Sequence, residues 1–365
     1  MSQKTEWVTI GSRNYWAHLC VSAQSIICHH PDAKISVILI DGKEEIELSN
    51  FPGEIYLLED IGIDNLAHYR MKYGVSELAT AIRPWVHQYF FNLKKIEKII
   101  YFDLDLWFKS SIELVIQECA GHPISFCPTT LSEYPRDGCF PDARSYRLSG
   151  LYNAGFMILE RGEETNAFLN WWQQWLMNYC RFDTNNGFFG DQRFLDIVPL
   201  FFPMTKIIRD IGCNVAYWNI HERTLGKNEN QYLINTVPLR FFHLSGFNLK
   251  DEKRLSKTND NRSYLEAGNL ISELKKEYQH ELVKNDIERH QSIPYQYSRL
   301  SNGSQIQVAF RYYCLDHPEI LEGISDPFSS SVIRRKHLKH KVLTKIKMLV
   351  NGAIARFWNL IFKCI

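Results

Sequence analysis

The run Ile35-Ser-Val-Ile-Leu-Ile40 constrains this chain more tightly than any other stretch of similar length. It is almost unbroken in its apolarity and ends at Asp41-Gly42, so as a strand it has no face to offer water. Such a strand must be covered on both sides, the situation of a parallel sheet flanked by helices. What precedes it agrees. Residues 7–10 form a short, β-leaning apolar segment, and Gly11-Ser-Arg-Asn14 follows as a loop. From 15 to 29, Trp16, Leu19, Cys20, Ala23, Ile26 and Ile27 recur at helical spacing until Pro31-Asp32 breaks the pattern. Strand, helix, strand is a βαβ unit, and the expected fold class is α/β.

Further along, residues 54–58 read as a strand. Residues 76–93 read as a long helix that Pro84 must kink or delay. Residues 98–108 read as one buried strand carrying two acidic residues. A helix at 112–119 and a strand at 124–127 follow. Residues 134–150, rich in Pro, Gly, Arg and Asp, read as a long mobile loop. A strand at 152–159, a Trp-rich helix at 167–179, a short helix within 190–197 and a strand at 239–243 complete this part. The pattern changes near residue 256, with a charged helical stretch at 265–287 and a mixed segment at 293–328. The expected division is a nucleotide-binding and catalytic domain over 1–255, a helical or mixed extension over 256–330, and a tail over 331–365.

That tail opens with Arg334-Arg-Lys-His-Leu-Lys-His-Lys341 and places Val342, Ile346, Leu349, Ala353, Phe357 and Leu360 on one helical face. A basic amphipathic helix suits an anionic membrane surface, and equally a terminal helix packed on its own core. The net charge of +1 lacks the basic excess of a nucleic-acid binder, so no nucleic-acid partner is expected. Nine cysteines without paired spacing suggest neither a zinc site nor a disulfide framework, and fit a reducing compartment. Residues 1–10 show no apolar core of a secretory signal, and no apolar run is long enough to span a bilayer. The expected location is cytoplasmic, with the tail at the inner face of the membrane.

The chemical clue is Ile99-Ile-Tyr-Phe-Asp-Leu-Asp105, an apolar strand that delivers Asp103 and Asp105 at its carboxyl end. Ligands of open α/β sheets bind at that edge. Two neighbouring carboxylates repel one another unless a cation or a shared proton intervenes, and a divalent ion bridging to a diphosphate is an economical partner. Haloacid-dehalogenase-like phosphatases also carry Asp-x-Asp after a strand, with the first Asp as nucleophile. Here Trp107 occupies the position four on from Asp103, the motif lies about a hundred residues into the chain, and both weaken the phosphatase reading.

Several separated segments together resemble the GT-A glycosyltransferases, in particular those near glycosyltransferase family 8. They are Val8-Thr-Ile-Gly-Ser-Arg-Asn-Tyr15, Glu77-Leu-Ala-Thr-Ala-Ile-Arg-Pro84, Phe102-Asp-Leu-Asp105, Tyr152-Asn-Ala-Gly-Phe156, Gly190-Asp-Gln192 and Phe242-His-Leu-Ser-Gly-Phe-Asn-Leu-Lys250. The resemblance spans roughly residues 5–255 and implies a GT-A fold, a Rossmann-like mixed sheet flanked by helices with a helical C-terminal extension. It implies a nucleotide-diphosphate sugar as donor and a glycan or lipid-linked acceptor, as in bacterial surface-polysaccharide synthesis. By the same resemblance Asp103, Asp105 and His243 bind Mn²⁺ or Mg²⁺, while Thr9, Tyr15, Arg83, Asn153, Gly155, Gly246 and Lys250 contact donor or acceptor. Asp191 and Gln192 face the transferred sugar as catalytic residues, and retention of configuration is the expectation. On the residues alone, His243 reads equally as a hydrogen-bonded core histidine, and Asp191 as a helix N-cap. Two rivals stay open: the phosphatase using Asp103, and a catalytically silent, membrane-peripheral sugar-nucleotide binder. The wording Gly212-Cys-Asn-Val-Ala-Tyr-Trp218 departs from family 8, and Lys250 stands one residue later than the family pattern.

Overall fold

The computed structural model describes residues 4–229, 231–251, 253–258, 262 and 269–333. The tail expected from residue 331 therefore lies outside the described residues from 334 onward. Contacts divide the chain into two compact units, Met1–Asp64 with Val75–Gln296, and Asn65–Gly74 with Tyr297–Ile365.

The first unit is built on a seven-stranded mixed sheet. Its strands are β1 (Thr5–Gly11), β2 (Ile35–Leu39), β3 (Glu54–Leu57), β4 (Lys98–Phe102), then β6 (Ile124–Pro128) and β7 (Tyr152–Glu160), with β5 (Leu106–Phe108) standing outside the sheet. The order is Lys206–Ile207, β6, β7, β4, β1, β2, β3. Every neighbouring pair is parallel except those made by β7, which runs against both β4 and β6. The expected α/β fold is present: a mixed, mostly parallel sheet flanked by helices. All five residues of β2 are buried, as its apolar run requires. On one face Trp16 and Leu19 of the helix Trp16–His29 pack with Trp7, Val37, Ile100 and Phe102 of the sheet. A second cluster gathers Trp107, Val215 and Phe242 around Tyr278 and Leu282 of the helix Leu270–Lys284.

Three expectations change. The helix drawn over 76–93 is two helices, Val75–Ala81 and Arg83–Asn92, which break at Ile82. Pro84 falls in the first turn of the second, where its missing N–H would have had no partner anyway. The strand drawn over 98–108 is likewise two. At Asp103 the chain leaves the sheet in a turn closed by the Leu106 N–H donating to the Asp103 carbonyl at 3.1 Å, and β5 pairs antiparallel with Phe241–His243 instead. Both carboxylates thus sit in the turn rather than on one face of a strand. Finally, 134–150 contains the helix Arg144–Ser149, and its start is held down by a buried Tyr134.

The second unit has its own small core of Met71, Ile306, Cys314, Leu321, Ile324 and Ile333. The buried Arg311 of the helix Val308–Asp316 ties it together by donating to the carbonyls of Arg70 (2.8 Å), Met71 (3.0 Å), Tyr73 (2.6 Å) and Tyr297 (2.5 Å). Among the described residues no helix is long and apolar enough to cross a membrane.

Candidate metal and donor site

The antiparallel run of β7 brings its first residues to the same edge as the last residues of β4. Phe102 faces Phe156 across the ladder, and the Asp103 N–H donates to the Gly155 carbonyl at 2.7 Å. Between Phe126 and Cys127 the β6–β7 register shifts, so that β7 bulges over Ala154, Gly155 and Phe156, with Asn153 paired just beyond. Bulges re-aim side chains at a strand end. Pairing of β5 with Phe241–His243 sets Leu106 opposite His243, and the Leu244 N–H donates to the Asp105 carbonyl at 3.0 Å.

These three local events converge on one spot. Ligand atoms of Asp103, Asp105 and His243 lie within 4.8 Å of one another. The His243 Nε2 is 3.3 Å from an Asp105 oxygen, while its Nδ1 donates to the Asn214 side-chain oxygen at 3.0 Å. That second bond selects the tautomer with Nε2 as the bare, ligating nitrogen. Gly155 closes the floor. A Cβ there would stand 2.6 Å from the His243 ring and 2.8 Å from an Asp103 oxygen, so only glycine leaves the space open. Two carboxylates and one imidazole around such a space fit Mn²⁺ or Mg²⁺.

Beside the triad lies a buried ion-pair bridge. The guanidinium of Arg83, 3% exposed, donates to Asp103 at 2.5 Å, to Asp191 at 2.7 Å and to the Ala154 carbonyl at 2.8 Å. The Tyr101 hydroxyl also donates to Asp103, at 2.7 Å. Burial opposes the charge on Arg83, but Asp103 and Asp191 more than offset it and hold the group protonated. Burial lifts Asp191 to about 6, against the pull of Arg83 and with the Asp103 charge adding to the rise. Burial alone would raise Asp105, yet the facing His243 brings it below the ordinary carboxylate range, and Asp105 raises His243 in return.

Two cavities meet at Asp103 and Arg83. One, of about 500 Å³, is lined by Gly11, Ser12, Asn14, Tyr15 and His18 at the end of β1, with Asp105 and Lys257. The other, of about 370 Å³, is lined by Asn153, Gly155, Asp191, Gln192, Tyr217 and Trp218 among others. Asn153 donates to the Gln192 side-chain oxygen at 3.0 Å, and Gln192 donates onward to the Ser149 carbonyl at 2.7 Å. Asp191 stands at the N-cap of Gln192–Ile197 but makes no capping bond; its carboxylate serves Arg83.

Not every residue named from the sequence arrives here. Thr9 is fully buried within β1 and lines neither cavity. Lys250 is exposed and lines neither, whereas Lys257 lines the larger one, because the Lys257 N–H donates to the Gly246 carbonyl at 2.7 Å as the chain doubles back. Gly246 lines that cavity at φ +63°, a conformation glycine adopts without strain. Asn214, Tyr101, His18 and Lys257 were missed. Asn214 lies 29 residues from its partner His243, a separation that no spacing rule registers. In the loop past β1, Ser12 and Asn14 offered a cue in their polar composition, and both line the larger cavity.

Fold and site together define an α/β chain with a carboxylate–imidazole cluster at the sheet edge that could hold a metal ion. Comparison with known proteins gives the following. No family model matches the chain. It is 26% identical over 254 residues to YfnD, an uncharacterized protein of Bacillus subtilis (strain 168), across 68% of this chain and 79% of that one. It is also 26% identical over 182 residues to YfnF, likewise uncharacterized and from the same strain, across 48% of this chain and 58% of the other. Similar solved structures are glycosyltransferases. The galactosyltransferase LgtC with donor and acceptor sugar analogs is 14% identical at a TM-score of 0.43, over 80% of this chain and 98% of that one. Mouse xyloside xylosyltransferase 1 is 15% identical at 0.41, over 66% and 97%.

Proposed function

We propose that this chain is a metal-dependent glycosyltransferase that moves a hexose from a nucleotide-diphosphate sugar to a glycan or lipid-linked acceptor, with retention of configuration. The carrying observation is the Asp103–Asp105–His243 triad at the junction of two cavities. On this reading the larger cavity takes the nucleotide, with Tyr15 and Lys257 at its walls, and the smaller takes the transferred sugar and the acceptor. Asp103, Asp105 and His243 would hold Mn²⁺ or Mg²⁺, which when bound would supply Lewis-acid stabilisation of the diphosphate. Arg83 works from behind, holding Asp103 and Asp191 in place through one guanidinium. Asp191 presents a carboxylate where positive charge develops on the sugar, while Asn153 and Gln192 meet its hydroxyls. The phosphatase alternative asks Asp103 to be a nucleophile, and one of its oxygens already accepts from both Arg83 and Tyr101. A role in bacterial surface-polysaccharide synthesis, and membrane contact through the tail, belong to the same proposal.

The test is hydrolysis of a panel of UDP-, GDP- and dTDP-sugars, with and without Mn²⁺, by wild type and Asp105→Ala. One donor turned over only with metal, and at least about 100-fold more slowly by the variant, is the expected result. Binding of a donor without turnover supports the silent binder instead, and phosphate-ester turnover that tolerates His243→Ala supports the phosphatase.

A further inference from the structure

The smaller cavity has an unusual charge inventory. Among the described residues that line it the one guanidinium or ammonium is that of Arg83, and this is committed to Asp103, Asp191 and the Ala154 carbonyl. The other basic side chain, His243, faces Asp105 at 3.3 Å. In the sequence from Thr258, which lines the cavity, to Asn269 the single basic residue is Arg262. Its guanidinium donates to both oxygens of Asp137 at 2.7 Å and to the Pro141 carbonyl at 2.6 Å. What remains for a ligand is neutral: aromatic rings such as Tyr134, Phe189 and Trp218, and hydroxyls such as Ser145, Ser245 and Thr258.

We infer that the acceptor unit entering this cavity is an uncharged pyranose, and that uronic acids, sialic-type acids and phosphorylated sugars are excluded from it. The inference rests on the transferase reading and names the acceptor class within it. An acceptor carboxylate would lie close to Asp103 and Asp191, no guanidinium or ammonium among the described lining residues is at liberty to pair with it, and it would lose its water as well. The positive charge of a bound ion is already met by the diphosphate of the donor. A neutral sugar loses nothing by comparison. Its apolar ring face packs on the aromatic rings and its hydroxyls exchange hydrogen bonds with the serines and threonines.

The experiment uses the full chain with whichever donor it hydrolyses, and matched pairs of methyl glycosides: glucoside against glucuronide, galactoside against galacturonide. Metal-dependent donor hydrolysis without acceptor tests the transferase reading alone, so the two ideas fail separately. Transfer to the neutral member is expected to exceed transfer to its uronide by about tenfold or more, as one uncompensated charge contact within several ångströms implies. Leu148, on the cavity wall and 39% exposed, then serves to reverse the sign. Leu148→Arg is expected to raise the uronide-to-neutral ratio by about tenfold. For pairs that are not glycosylated, the dissociation constant from NMR titration against the enzyme–Mg²⁺–nucleoside diphosphate complex is compared in the same way. A wild type that takes the uronide as readily as the neutral sugar overturns the inference. So does a neutral preference that Leu148→Arg leaves unchanged.

Discussion

Gly155 shows how much of the site depends on a single missing atom. Its place opposite Asp103 and His243 is dictated by the β4–β7 register, and the space above its Cα is the floor of the candidate metal site. In Gly155→Ala the added methyl must displace the His243 ring or the Asp103 carboxylate, each under 3 Å from the new carbon. Mn²⁺ affinity by calorimetry is expected to fall at least about 10-fold, the scale of effect when ligand orientation is disturbed. Near-native circular dichroism should accompany that loss; unaltered affinity would show that the ion sits elsewhere. From sequence, Asn-Ala-Gly was recognisable as a motif, but the main reason for its glycine was not, because the two nearest clashing atoms, of His243 and Asp103, are 88 and 52 residues away in the chain.

At the scale of elements, the helix Arg83–Asn92 buries Arg83 and His87 one turn apart on the same face. Neither ring nitrogen of His87 has a partner in the structure, and burial, with Arg83 adding to it, holds its pKa at about 3. In the unfolded chain the same ring takes its proton near 6.5. Below pH 6.5 the unfolded state therefore binds the extra proton and stability falls, down to about pH 3 where the native ring also titrates. His87→Leu is expected to remove about 2 kcal/mol of the acid loss between pH 6.5 and 4.5, read from urea midpoints at the two pH values. The segment 134–150 makes a second case. Its composition suggested a mobile loop, but the Glu222 carboxylate accepts from the Leu131 and Ser132 N–H groups, and Arg262 pins Asp137 and Pro141. Those anchors come from residues 90 or more positions away, so local sequence could not announce them. Arg262→Ala is expected to speed tryptic cleavage at Arg136 and Arg144 about 10-fold or more, while donor hydrolysis in the absence of acceptor changes little. Equal cleavage rates would show that the segment is held without Arg262.

For the molecule as a whole, a metal that binds only the folded chain must stabilise it. Mn²⁺ at about 100 times its dissociation constant should add about 2.7 kcal/mol, and the melting temperature should rise with it. Asp105→Ala should melt at one temperature with or without the ion; a metal-dependent rise in the variant would place the binding elsewhere. Burial pattern and chain order, both local properties, were enough to read the α/β class from 35–40, the βαβ opening, and the acidic residues at the end of β4. The sequence by itself determined which residue types reach the sheet edge, since an apolar strand followed by carboxylates has only one way to face water. Tertiary structure alone decided what those residues do. It turned the chain at Asp103, aimed His243 through Asn214, and committed Arg83 to two carboxylates. It also set Lys257 rather than Lys250 at the cavity. Each of these is a contact between distant segments, and its energy exists only once the strands between them have paired.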